Sequence, residues 1–112
     1  MSAPDLGALL RRAQEVQGRM AALQRDLARR RVEGTSGAGM VRAVAGGDLR
    51  IVEIEIDPKL VASGDRAMLQ DLVAAAVNAA LGQAQQMVQE EMQRAAASMQ
   101  LVAPKPPSDG VS

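Results

Sequence analysis

Apolar residues in the first part of the chain fall at Leu6, Leu9, Ala13, Val16, Met20, Leu23 and Leu27, in alternating steps of three and four. That spacing belongs to a helix with a coiled-coil seam. It predicts a helix from about Asp5 to Arg31, with Pro4 and Asp5 at its start and Gly34 beyond its end. A second stripe runs through Leu69, Leu72, Val73, Ala76, Val77, Ala80, Leu81, Ala84, Met87, Val88, Met92, Ala95 and Met99. It predicts a helix from about Arg66 to Met99 with Asp65 as N-cap. Such a helix is about 50 Å long, whereas a compact domain of this size has a radius of gyration near 13 Å. One small body cannot cover two such stripes, so the pattern predicts a homodimer in which a second copy buries what the first leaves exposed.

Between the helices, Val32 to Pro58 gathers Gly34, Gly37, Gly39, Gly46 and Gly47 around short apolar runs. A phosphate-gripping loop needs a strand before it, a helix after it and usually a Lys-Ser/Thr pair. Here the β-prone run Met40–Val44 leads instead to Gly46-Gly47-Asp48 and a second run, Leu49–Ile56. The glycines therefore predict a hairpin. In its second strand Val52, Ile54 and Ile56 alternate with Glu53 and Glu55, predicting one buried and one wet face. The fold class expected is α+β, with long helices flanking a small antiparallel sheet of two or three strands, as a single domain over residues 1–101. The tail, residues 102–112, is expected to be disordered. Val52, Ile54, Ile56, Leu72, Val73 and Val77 are the residues expected at the dimer contact.

The chain has no Cys, His, Trp, Tyr or Phe. Catalysis by thiol or imidazole is excluded, as are the usual zinc ligands, so no enzyme activity, cofactor or metal is expected. Base stacking on aromatic rings, the usual means of gripping single strands, is excluded as well. No basic segment precedes an apolar one at the N-terminus, and the run Leu72–Leu81 is about half the roughly 20 residues of a membrane span. A cytoplasmic protein with no membrane partner is expected.

Net charge is zero, but residues 1–43 carry Arg11, Arg12, Arg19, Arg25, Arg29, Arg30, Arg31 and Arg42 against Asp5, Glu15, Asp26 and Glu33, a surplus of +4. On a helical wheel Arg11, Arg25 and Arg29 lie within about 40° of one another, with Arg12, Arg19 and Arg30 on the adjacent strip. Ordinary i,i+4 pairing (Arg11 and Arg19 with Glu15, Arg30 with Asp26, Arg29 with Glu33) would make this a solvated face. The excess around Arg29-Arg30-Arg31 points instead to phosphate, because guanidinium donates paired hydrogen bonds and stays charged. Contacts of that kind predict duplex binding with steep salt dependence and little base preference. The face shared by Glu53, Glu55 and Asp57 is a further candidate, for a cation.

Three segments together resemble the YbaB/EbfC family: Ser36 to Arg42, "SGAGMVR", Val52 to Val61, "VEIEIDPKLV", and Met68 to Leu81, "MLQDLVAAAVNAAL". The resemblance extends from Leu6 to Leu101. It implies a tweezer-like α/β dimer that binds DNA, resides in the nucleoid and acts in its organisation, with gene regulation or DNA repair, and a partner protein from those processes, as further implications. It carries the basic residue after the small-residue turn onto Arg42. Val77 stands where the family often has Phe, and the tail departs from the family's Gly/Pro/Met-rich ending. The competing reading is an interaction scaffold whose helices bind a protein partner without direct DNA contact.

Overall fold

The computed structural model describes residues 5–100, with side chains described to residue 98; the tail expected to be disordered, residues 102–112, lies outside them. Helix α1 spans Leu6–Arg29, strands β1, β2 and β3 span Arg31–Ser36, Val41–Gly46 and Ile51–Ile56, and helices α2 and α3 span Pro58–Ala62 and Arg66–Gln100. The strands form one antiparallel sheet in the order β1-β2-β3.

Local signals set the helix starts. Asp5 accepts from the Ala8 amide at 3.2 Å and Asp65 from the Met68 amide at 3.0 Å. Each carboxylate satisfies an otherwise orphaned amide of a first turn. Asp57 does the same for the short α2, accepting from Lys59 N at 2.8 Å, with Pro58 fixed for a first helical position.

The end of α1 corrects the sequence reading. The helix stops at Arg29, and Arg31, read as its last residue, begins strand β1, which also contains Gly34, read as lying beyond the helix end. Gly34 is buried mid-strand, where an added Cβ would lie 2.2 Å from Ala80 N and 2.6 Å from Ala76 O. The glycine is therefore a contact site for a helix backbone rather than a helix stop. Two hairpins result. The first turns through Ser36–Met40, with Gly37, Ala38 and Gly39 all at positive φ (60°, 54° and 89°), and the second through Gly46–Leu49 as expected.

The core is thin and built of small side chains. Val41, Ala43 and Ala45 on β2 meet Ala76, Ala80 and Ala84 of α3, all fully buried, with Leu60 of α2 closing one end. The i, i+4, i+8 alanines form a ridge low enough to lie directly on β1 and β2. Because α3 crosses those two strands and only grazes β3, the apolar face of β3 is left open. Ile54, paired with the buried Ala43, is 42% exposed. The expected alternation of Val52, Ile54 and Ile56 is broken by an irregularity at Val44/Ala45, which places Ile51 rather than Val52 opposite Ala45. Two of the three residues expected on the buried face of β3 are thus exposed within one chain, since Val52 is 49% exposed as well.

Helix α1 leaves the body. Burial along its seam declines from Leu27, which is buried, through the half-buried Leu23 and Met20, to Leu6, 70% exposed. The radius of gyration is 22.0 Å, far above the roughly 13 Å of a compact domain.

Candidate nucleic-acid interface

The arginines singled out from sequence divide into two groups. Arg30 closes the end of α1: its guanidinium meets Asp26 at 3.0 Å and, across to α3, Glu91 at 2.8 Å. Glu91 also receives Arg94, and the Arg30 pKa is raised chiefly by its hydrogen bond with Glu91. Arg31 donates from Nη1 to the carbonyls of Ala28 at 2.7 Å and Arg30 at 3.1 Å, so part of its donor capacity caps the helix exit.

Arg42 lies on the sheet face opposite α3. Its guanidinium is bonded to Glu33 at 2.7 Å, to Glu53 at 3.3 Å and to Glu55. Strand register brings them together: Arg42 stands opposite Glu55, and Glu33 and Glu53 stand opposite Val44 on either side. The hydrogen bond from Arg42 lowers the Glu33 pKa, and the same bond is the largest cause raising that of Arg42. One cation among three carboxylates leaves this patch net negative. The carboxylates read as a cation face are thereby occupied, Glu53 and Glu55 by Arg42 and Asp57 by the α2 amide.

The second group is different. Among the described residues Arg11, Arg12, Arg19, Arg25 and Arg29 make no ion pair, and all are exposed on α1. Of the four i,i+4 pairings possible along this segment, only Asp26 with Arg30 forms. These free guanidinium groups lie along a helix about 36 Å long at 1.5 Å per residue. Arg50, in the β2–β3 turn, was not among the sequence candidates; it too is exposed and without an ion pair among the described residues. Its one sequence signal was an isolated cation beside Gly46-Gly47-Asp48, which does not reveal that the turn docks on the end of α1 through Gly47 N to Leu27 O at 3.0 Å.

The residues expected at a dimer contact also separate. Leu72 is engaged within the chain, its carbonyl accepting from Ser36 Oγ at 2.5 Å and its side chain lying over Gly37. Ile56, Val73 and Val77, joined by Leu69, line an open apolar groove between β3 and α3. Among the described residues no strand pairs with the outer edge of β3. No helix of the described residues is long and apolar enough to cross a membrane.

The model of the YbaB/EbfC DNA-binding family matches residues 1–99. A nucleoid-associated protein of Caldanaerobacter subterraneus subsp. tengcongensis is 43% identical over 88 residues, 79% of each chain. One of Pelotomaculum thermopropionicum is 40% identical over 101 residues, 90% of this chain and 96% of that one. One of Chlorobaculum tepidum is 41% identical over 99 residues, 88% and 87% of the two chains. The fold matches the crystal structure of an uncharacterised protein from Helicobacter pylori with a TM-score of 0.61 at 24% identity, covering 88% of this chain and 97% of that one.

Proposed function

The chain belongs to the YbaB/EbfC DNA-binding family, and from that premise we propose that it is a non-enzymatic, nucleoid-located protein that binds duplex DNA as a homodimer through phosphate contacts. The observation that carries the reading is the set of unpaired, exposed arginines on the projecting α1: Arg11, Arg12, Arg19, Arg25 and Arg29. Contacts to phosphate position a protein without reading sequence, so little base preference is expected, and effects on gene regulation or DNA repair follow from occupancy. Arg30, Arg31 and Arg42 act mainly within the protein, Arg30 tying α1 to α3, Arg31 capping the helix exit and Arg42 holding the strand carboxylates.

The homodimer is supported by the two features that one chain leaves open, the outer edge of β3 and the groove of Ile56, Leu69, Val73 and Val77. A second copy offers the same apolar edge and groove, as a two-fold contact requires. Doubling the chain also doubles the number of basic arms.

Titration of unrelated duplexes at several salt concentrations tests the proposal. Each phosphate neutralised contributes about −0.9 to the slope of log K against log salt, so one arm gives a slope of roughly −4 to −5 and two arms up to about −9. Replacing the five unpaired arginines of α1 by Gln should flatten the slope, whereas Arg42→Gln should leave it nearly unchanged. The exposed leucines Leu6, Leu9 and Leu10 of α1 favour the scaffold reading instead. That reading gains if the wild-type protein ignores duplex DNA at low salt.

A further inference from the structure

The β2–β3 turn holds a leucine in a conformation that leucine avoids. Leu49 has φ 64°, in the left-handed region, and is 46% exposed. Glycine or asparagine is the usual occupant of such a position, because a larger L-residue there brings Cβ against its own backbone. The turn is nonetheless tightly made, with Leu49 N donating to Gly46 O at 3.0 Å and Gly46 N to Arg50 O at 2.9 Å. It is also fixed to α1, since Gly47 N donates to Leu27 O at 3.0 Å. The leucine is thus an apolar side chain displayed to solvent on a rigid hairpin tip.

Its surroundings are basic. Arg50 follows it, exposed and without an ion pair among the described residues. Arg31 lies beside the turn, its Nη1 3.0 Å from where a Cβ on Gly46 would stand. Arg12 and Arg19 lie up the helix, about 60–80° around the axis from Leu27, which faces the turn. Asp48 is folded back, its Oδ1 2.7 Å from that same Gly46 position. Arg50 and Arg31 therefore flank the tip, and further arginines continue along α1.

We infer that Leu49 is a wedge that enters between stacked base pairs of the duplex and kinks it, while Arg50 and the arginines of α1 hold the flanking phosphates. Apolar side chains inserted at a base step in this way kink duplexes by about 20–90°, most readily at pyrimidine–purine steps. A strained, exposed apolar residue on a docked tip is the feature such a wedge requires. The inference rests on the duplex-binding reading and adds a deformation to it.

The test compares wild type, Leu49→Asn and Leu49→Met on a duplex of about 30 base pairs carrying a central TA step, with dyes at its ends and 2-aminopurine at the step. Wild type and Leu49→Met should shorten the end-to-end distance and raise 2-aminopurine fluorescence. Leu49→Asn suits the left-handed position and should melt no lower than wild type. It should keep the salt slope, lose both bending signals, and bind roughly fivefold more weakly, the effect of burying part of one leucine. A duplex left straight and stacked by the wild-type protein, or bent equally by Leu49→Asn, would overturn the wedge while leaving phosphate binding intact. Absence of any wild-type binding at low salt would instead remove the duplex reading and the wedge with it.

Discussion

Gly34→Ala tests how the helix and sheet are held together. The new methyl would sit 2.2 Å from Ala80 N, 2.6 Å from Ala76 O and 2.7 Å from Ala79 C, all backbone atoms that no rotamer change can move. An ordinary contact is about 3.5 Å, so α3 must withdraw from β1 by roughly 1 Å. That gap forfeits a quarter to a half of the dispersion between the alanine ridge and β2, on top of the strain of overpacking. The cost should reach the upper end of the overpacking range, about 3 kcal/mol, lowering the melting temperature by roughly 10–20 °C. Gly18→Ala is the matched control: nothing lies within 4 Å of its added Cβ, and it is an exposed helical position. That change should stabilise by about 1 kcal/mol, so one chemical substitution should give opposite signs at two sites. Thermal and urea melts followed by circular dichroism, all at one protein concentration, measure both. If Gly34→Ala melts within about 0.5 kcal/mol of wild type, the close-packing argument fails.

Three further outcomes are expected. Ala38, at φ 54° in the β1–β2 turn, should tolerate Asn with a gain of about 1 kcal/mol, and an unchanged melting temperature would count against strain there. Glu33 has its pKa lowered by Arg42, so it contributes stability above the ordinary carboxylate value near 4.3 and loses it as pH falls through the lower folded value. Urea midpoints between about pH 5 and pH 3 should therefore fall more steeply for wild type than for Arg42→Gln, and parallel curves would refute the linkage. Val77→Glu places a carboxylate in the open groove and should convert a dimer to monomers in light scattering; a variant that remains dimeric would move the contact elsewhere.

Much of the candidate interface was legible as residue types, and less as roles. The basic surplus of the first part of the chain can be counted from sequence, and the i,i+4 spacing lists the pairs that could cancel it. Which pairs form depends on neighbours remote in sequence. Arg30 finds Glu91, and Arg42 finds Glu33, Glu53 and Glu55, so among the arginines singled out from sequence those left free of ion pairs and capping bonds are on α1. The exposure of Leu49 and Arg50 at the hairpin tip is not legible locally, because the sequence of the turn does not show that Gly47 anchors it to Leu27.

By itself the sequence determined the features whose physics is local: the helix starts at Asp5 and Asp65, the seam of α1, the stripe of α3 and the turn at Gly46-Gly47-Asp48. Caps and periodicity act within a few residues, so they survive being read along a line. Tertiary structure decided that Gly34 lies in a strand, because only an α3 resting on β1 requires a residue without Cβ there. It also decided that Ile51 rather than Val52 stands opposite Ala45, and that β3 is left uncovered. Each of these depends on where a remote element comes to rest, which is set by packing across the sheet rather than by the order of residues along it.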